Sequence, residues 1–531
     1  MVFTNRMANF AFEKGFSDPA MKRRWNRWNT LIGVFIPYFI WFLIAIHLPL
    51  DQAALIGGDD GFELAKAMLV ERHPELASRM WNDQPWLHTL IHAWLFRHFG
   101  EHAAFPRYFS LISLGVLLLA TAWALREELG FWGGLVFPIF LLMGNETPTL
   151  TMAAMLELPT QCWAIAAGWL ALRATSPWQW IVAGAVWAAA AHMKLTALMI
   201  APALAVSLLV RSKWRGLWRR VLWIGLGFVP TFLFLIYLSP RFDLQELIAT
   251  HWKSTEHIVK ALPGYRFNWS WFLGQPEHVL ATIVCIILLL KDRSLRKQLV
   301  YPLALLATAL FLALWYRPWW SYYEVFLLIP MAILGGVAVA HCIRNLNLKG
   351  HRIQEEVLKK QGRENWLSHP RWSLGIGVAI LALGAGFGIP QISHSIWEVR
   401  VWGSRPLEAI YPWWPIVKTY AQKARWIFTF KLSASFFLKV SVPPELIVVP
   451  KKRIWTGQFT PEIVATTFKQ YHPEIVILPQ NHWLYTDGVK KYLDSQYVMI
   501  SKVGGDEIWV SRSICKMKPL PLEELVKKLG L

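Results

Sequence analysis

Long apolar runs separated by short polar connectors occupy most of this 531-residue chain. Runs of about 17 to 20 apolar residues recur, the length that crosses about 30 Å of hydrocarbon as an α-helix. We interpret about eleven runs as membrane-spanning helices. They lie at residues 31–48, 107–125, 131–144, 159–174, 178–192, 195–210, 221–238, 278–291, 299–316, 323–341 and 373–390.

The composition supports this interpretation. Hydrophobic residues make up 55% of the chain and charged residues only 17%, whereas a soluble globular chain is about 25% charged. The 32 tryptophans suit a protein with a large water–lipid boundary. The sequence therefore predicts a polytopic α-helical membrane protein that retains its first apolar helix.

Lysine and arginine in the connectors predict the orientation. The basic stretches are "KRRWNR", "RSKWRGLWRR", "KDRSLRK" and the connector from Arg344 to Arg371, and all fall on one side of the predicted spans. By the positive-inside rule this side and the N-terminus are cytoplasmic, and the C-terminus is extracytoplasmic. The net charge of +20 is then mainly a topological signal, and we expect no nucleic-acid partner.

The character of the sequence changes after Pro390. We divide the chain into a transmembrane domain (1–390), a membrane-interface linker (391–435) and a small soluble α/β domain (436–531). In the last part, "SFFLKVSV", "ELIVVP", "EIVILP" and "DEIWVS" resemble strands, and "TPEIVATTFKQY" and "TDGVKKYLDSQ" resemble helices. Alternating strands and helices predict an α/β domain outside the membrane.

A cluster of carboxylates follows the first span. Asp59 and Asp60 begin a long outer loop, residues 49–106, which contains two helix-like stretches. A second long outer loop covers residues 240–277. A carboxylate held near the lipid surface suits a general base, because burial raises its pKa, and it also suits a metal ligand. The alternative is that Asp59 and Asp60 only cap a helix that begins near Gly61.

These residues carry a resemblance. "DDGFELAKAM" and "NDQPWLHTLIHAWLFRHFGEHAAFPRYFSLI" resemble the first outer loop of the C superfamily of glycosyltransferases (GT-C), which use polyprenyl-phosphate sugars. Its members include protein O-mannosyltransferases and lipid A aminoarabinose transferases. The resemblance implies that Asp59 is the catalytic aspartate. It implies further catalytic acids at Asp60, which replaces the glutamate that follows the aspartate, and at Asp83. Arg107 matches the arginine that opens the next span, and we expect it to bind substrate.

Later stretches fit the same family. Glu157 in "MLELPTQCWAIAAGWLAL" and Lys194 in "AAHMKLTALMIAP" take its acidic and basic positions, and "RPWWSYYEVFLLIPMAILGG" places Tyr322 and Tyr323 at its tyrosine pair. The resemblance covers nearly the whole chain and rests on order and spacing. It implies a GT-C-like fold in a bacterial-type plasma (inner) membrane. One departure is Gln84, where the family often has a basic residue, so another cation must contact the donor phosphate.

The family chemistry gives these residues roles. A sugar passes from a polyprenyl phosphate to an extracytoplasmic hydroxyl on a protein, lipid or glycan, with inversion, and Asp59 takes the hydroxyl proton. Cations stabilise the departing phosphate, and the candidates on the outer face are Lys194, Arg266 and Arg317. The alternatives are that Lys194 extends only to the interface, that Arg317 anchors the chain beside tryptophans, and that Arg266 lies in a solvated loop. Glu157 either pairs with a lysine or favours a helix start.

Three further interpretations accompany this one: a metal site, a transporter and a scaffold. His88 and His92 are four residues apart, so on a helix they share a face and, with Asp83 nearby, are candidate ligands of a divalent metal; the alternative is that they are interfacial polar residues. The competing function is a transporter or flippase of a lipid-linked or anionic substrate, although the acids cluster at one membrane face. A non-catalytic scaffold has no need of the carboxylate loop. The sequence does not specify the sugar or the acceptor.

Overall fold

The computed structural model describes residues 19–212, 214–248, 250, 266–346, 370–480 and 482–515. Each predicted span falls mostly on helical residues. The helices of this region are α1 (Pro19–Ile46), α2 (Asp60–Arg72), α3 (Leu87–Phe99), α4 (Ala104–Ala124), α5 (Arg126–Met143), α6 (Thr147–Thr151), α7 (Glu157–Arg173), α8 (Pro177–Met193), α9 (Ile200–Arg211), α10 (Trp214–Leu238), α11 (Pro276–Lys291), α12 (Arg293–Trp315), α13 (Val325–Leu346), α14 (Pro370–Leu383) and α15 (Ile389–Ser404).

Six stretches among the described residues are long and apolar enough to cross a membrane, and they make the chain an integral membrane protein. They are Trp28–Ile46, Ala104–Ala124, Gly216–Leu238, Leu295–Trp315, Ser321–Arg344 and Gly375–Ser404. Leu195–Arg211 and Pro276–Leu290 are shorter apolar helices. The predicted spans on α5, α7 and α8 have helices of 18, 17 and 17 residues. The count of about eleven crossings and their orientation stay predictions.

The C-terminal part contains a four-stranded mixed sheet in the order β1-β2-β4-β3. Its elements are α16 (Leu407–Ile410), α17 (Trp414–Ala421), β1 (Ile427–Phe428), α18 (Leu432–Leu438), α19 (Lys451–Trp455), α20 (Pro461–Tyr471), β2 (Ile475–Pro479), α21 (Asp487–Gln496), β3 (Tyr497–Val503) and β4 (Asp506–Ser511). Gly504 and Gly505, both at positive φ, join β3 to β4 in a two-residue turn, a conformation that glycine adopts without strain.

Two of the four predicted strands are present, namely β2 and β4. The prediction of a strand at 435–442 is wrong, because the first half of this stretch belongs to α18. The prediction of a strand at 445–450 is also wrong. Phe436 explains the difference for α18: it is buried among outer-loop residues and its ring centroid lies 5.5 Å from that of Phe96. A tertiary contact therefore overrides the alternating pattern. β1 lies within the segment predicted as an interface linker.

The first outer loop and the C-terminal domain share one hydrophobic core. The loop forms α2 and α3, as its helix-like stretches predict. Buried residues of the loop, among them Leu69 and Trp81, pack in one cluster with Trp413, Phe428 and Phe468 of the C-terminal domain. Since burial of apolar area stabilises at about 25 cal/mol per Å², this shared core fixes the C-terminal domain on the loop that carries the carboxylates.

A close backbone approach marks this junction. A Cβ atom on Gly61 in α2 would lie 2.3 Å from Ser433 Oγ and 2.8 Å from Ser433 N. Such distances are far below van der Waals contact, and the backbone nitrogen cannot move aside as a flexible side chain would. Glycine at this position therefore permits α18 to dock against α2.

We expect Gly61→Ala to destabilise the protein by about 1–3 kcal/mol, because the added methyl group forces α2 and α18 apart. Thermal unfolding in detergent measures the effect. The control is Gly488→Ala in α21, where the added Cβ meets nothing within 4 Å and alanine favours the helix. Equal unfolding midpoints for the two variants would contradict the tight junction.

Candidate active site

A cavity of about 450 Å³ lies where the outer loop, several connections between helices and the C-terminal domain meet. Five carboxylates and four lysines line it together with two adjacent tyrosines. The carboxylates are Asp59, Glu63, Asp83, Glu146 and Glu157; the lysines are Lys66, Lys194, Lys451 and Lys452; the tyrosines are Tyr322 and Tyr323. Six of the residues singled out in the sequence are therefore brought together: Asp59, Asp83, Glu157, Lys194, Tyr322 and Tyr323.

Asp59 occupies the N-cap position of α2, but its side chain makes no capping hydrogen bond. Instead, Asp59 lines the cavity together with Tyr322. Burial raises the pKa of Asp59 to about 6, and the nearby charge of Glu157 acts in the same direction, while Lys194 and Tyr322 oppose it. This geometry favours a chemical role for Asp59 over helix capping.

Asp60 points away from the cavity and forms a buried ion pair. It is 1% exposed. Arg107 at the start of α4 donates from Nε to Asp60 Oδ1 at 3.2 Å and from Nη2 to Oδ2 at 2.5 Å. The Ala154 amide donates to Oδ1 at 2.6 Å, and the guanidinium also donates to the carbonyl oxygens of Leu50 and Ala53. Asp60 and Arg107 do not line the cavity, and this placement favours a positioning role for both.

Lys194 and Glu157 form a second buried ion pair, and this one faces the cavity. Lys194 Nζ donates to Glu157 Oε1, and it also lies 5.7 Å and 5.2 Å from the ring centroids of Tyr322 and Tyr323. Glu157 begins α7, and Lys194 follows the last residue of α8. The pairing that the sequence left open is therefore present, beside an aromatic wall that favours a cation.

The candidate metal ligands lie behind the cavity wall. His88 Nδ1 is 3.2 Å from Glu63 Oε2, and Lys66 Nζ is 2.7 Å from Glu63 Oε1. His88 and His92 are fully buried with ring centroids 3.9 Å apart, and burial lowers the pKa of both imidazoles. Across the described residues, no group of three or more His, Cys, Asp or Glu side chains is arranged to hold a metal.

Two predicted cations lie elsewhere. Arg266 is exposed and does not line the cavity, and residues 251–265 of the same loop are outside the described residues. Arg317 is partly buried and precedes a cis peptide bond to Pro318, but it is also not among the residues that line the cavity. The described residues that supply positive charge to the cavity are all lysines.

Sequence reasoning missed Glu63, Lys66, Glu146, Lys451 and Lys452 as cavity residues. The Glu63–Lys66 spacing of three residues on a predicted helix is a usable signal, because such residues are neighbours on the helix surface. Lys451 and Lys452 come from the C-terminal domain. No local pattern in the sequence indicates that this domain reaches the cavity.

Comparison with solved structures shows what the fold is similar to. The chain matches ArnT from Cupriavidus metallidurans, in a crystal structure with bound undecaprenyl phosphate, at a TM-score of 0.57 and 15% sequence identity. The match covers 92% of this chain and 99% of that chain. No protein-family model and no curated protein matches the sequence. The chain therefore has an ArnT-like fold.

We predict that Asp60→Asn destabilises the fold by about 3–5 kcal/mol, because it leaves the Arg107 guanidinium buried without its counter-charge. Unfolding in detergent measures this. Asp59→Asn is the matched control: it removes the neighbouring carboxylate, whose charged form burial already disfavours, and we expect a change within about 1 kcal/mol. Equal stability of the two variants would contradict the structural assignment of Asp60.

Proposed function

We propose that this protein is a membrane glycosyltransferase that moves a sugar from a polyprenyl-phosphate donor to an acceptor hydroxyl at the extracytoplasmic face, with inversion at the anomeric carbon. The observation that carries the proposal is the cavity in which Asp59 lies beside the Lys194–Glu157 pair and two tyrosines. It offers a general base and a set of cations within one partly enclosed space.

The reaction needs one general base and cations that stabilise the leaving group. The acceptor hydroxyl gives its proton to the Asp59 carboxylate as its oxygen attacks the anomeric carbon. The bond between that carbon and the phosphate oxygen breaks at the same time, and the electron pair leaves with the polyprenyl phosphate. A single displacement of this kind inverts the anomeric centre. Tyr322, which lines the same cavity, orients the carboxylate for this transfer.

Positive charge must meet the departing phosphate. Lys194 is our first candidate, because a lysine binds phosphate as a point charge and its ammonium group lies on the cavity wall. The arriving phosphate competes with Glu157 for this ammonium group. Fixed cations in a site that excludes water stabilise developing negative charge more strongly than they do in bulk water.

The donor class follows from the fold relative and from the resemblance in the sequence. ArnT, one of the lipid A aminoarabinose transferases named above, has undecaprenyl phosphate bound in its crystal structure. The competing transporter is less favoured, because the charged cavity lies among connections at helix ends, where residues of the C-terminal domain also line it. The acceptor is a protein, a lipid or a glycan that carries a hydroxyl group.

The direct test incubates the purified protein with a panel of polyprenyl-phosphate sugars and with peptide, lipid and glycan acceptors. Release of polyprenyl phosphate and labelling of the acceptor are measured. We expect transfer by the wild type and a loss of about 100-fold or more in Asp59→Asn, because a general base contributes about 10²–10⁴. Lys194→Met should weaken donor binding as well.

The matched control for this test is Asp51→Asn. Asp51 lies in the same outer loop but is exposed, where it pairs with His102 at 2.8 Å. Its removal should leave transfer unchanged. Transfer by neither wild type nor variants on any donor would count against the proposed reaction, and equal transfer by wild type and Asp59→Asn would assign the base to another residue.

The raised pKa of Asp59 gives a separate prediction for the pH dependence. The base must be ionised to accept a proton. We therefore expect kcat/KM to be constant well above pH 6 and to fall as the pH drops through about 6, the pKa of Asp59. A pH series of initial rates measures this acid limb. A limb near pH 4, where an ordinary aspartate titrates, would contradict the buried setting of the base.

A further inference from the structure

The C-terminal domain forms part of the cavity wall. Val448, Val449, Pro450, Lys451 and Lys452 all line the same cavity as Asp59 and Lys194. They form the turn that leads into α19 and its first two residues. The soluble domain therefore brings positive charge to a site that the membrane helices and the outer loop otherwise build.

Lys452 is a buried cation without a carboxylate partner among the described residues. It is 5% exposed, and its Nζ donates to the Tyr316 hydroxyl at 3.4 Å. The other two buried lysines of the cavity are each neutralised by a carboxylate, Lys66 by Glu63 and Lys194 by Glu157. A buried charge that lacks a counter-charge is costly, so an anion in the cavity would stabilise Lys452.

The segment is held in place before any ligand binds. The Arg453 guanidinium, also buried, donates to the carbonyl oxygens of Glu445 at 2.8 Å and Val448 at 2.7 Å. It lies 5.0 Å from the ring centroid of Trp81 in the first outer loop, and the Trp81 indole donates to Gln458 at 2.9 Å. These contacts fix the turn against the stretch that carries Asp83, so Lys452 is positioned without the loss of entropy that ordering a free loop would require.

Lys452 also connects to the cations already described. The ring centroids of Tyr316 and Tyr323 lie 5.8 Å apart, and Lys194 Nζ lies 5.2 Å from the ring centroid of Tyr323. Lys452 therefore contacts Tyr316, and Lys194 contacts Tyr323, so the two ammonium groups are joined through neighbouring tyrosines. Gln84, which also lines the cavity, is neutral and does not supply a charge there.

We propose that Lys452 of the C-terminal domain binds the phosphate of the polyprenyl-phosphate donor and replaces the cation that Gln84 does not provide. This inference rests on the proposed function, because it names the anion by the donor of that reaction. The C-terminal domain is then an integral part of the donor site, and the charge it contributes acts with Lys194 on the leaving group.

The test measures binding of undecaprenyl phosphate and of undecaprenol, which lacks the phosphate, to the full-length protein in detergent. Lys452→Met keeps the apolar stem and removes the charge. We expect it to weaken undecaprenyl phosphate binding by about 10-fold or more, the usual effect of a lost charged hydrogen bond, and to leave undecaprenol binding unchanged. Lys452→Arg should restore much of the phosphate affinity.

The matched control is Lys469→Met, which removes an exposed lysine of the same domain on α20 and should leave both affinities unchanged. The inference would be overturned if Lys452→Met bound undecaprenyl phosphate with wild-type affinity and Lys194→Met still bound it more weakly. An equal loss for both ligands in Lys452→Met would overturn it too, since that indicates a structural role. Failure of the wild type to bind undecaprenyl phosphate would instead overturn the proposed function.

Discussion

The buried ion pair between Asp60 and Arg107 is the interaction on which the rest of the site depends. It ties the first residue of α2 to the first turn of α4, and the Arg107 guanidinium also holds two carbonyl oxygens of the connection after α1. Because neighbouring side chains at a helix start point about 100° apart, fixing Asp60 inward turns Asp59 toward the cavity. One of two adjacent carboxylates thus anchors the helix, and its neighbour is available for chemistry.

The cavity gathers carboxylates and lysines from several parts of the chain. The membrane helices carry few charges, whereas the cavity brings together several ionisable groups from distant parts of the chain. Four of these groups form two ion pairs, Glu63 with Lys66 and Glu157 with Lys194. Pairing lowers the cost of keeping charges away from water, and a phosphate that enters can exchange with one partner. The shared core of outer loop and C-terminal domain keeps this arrangement rigid.

The sequence predicts the helical segments well, because apolar length is a local property. Order and spacing also indicate Asp59, Glu157 and Lys194, whose side chains meet in the structure. Two features escape local reasoning. The stretch 435–442 alternates like a strand, but packing of Phe436 against Phe96 makes its first half helical. Lys452 enters the cavity only because the C-terminal domain docks on the first outer loop, a contact between residues far apart in the chain.

We propose that the cavity beside Asp59 holds the phosphate end of a polyprenyl-phosphate donor. An experimental structure of the protein with undecaprenyl phosphate tests this most directly. We expect the phosphate to lie inside the cavity, within salt-bridge distance of Lys194 Nζ, with the isoprenoid chain leading toward the lipid-facing helices. A phosphate bound on another face of the molecule, with the cavity holding only water, would contradict it.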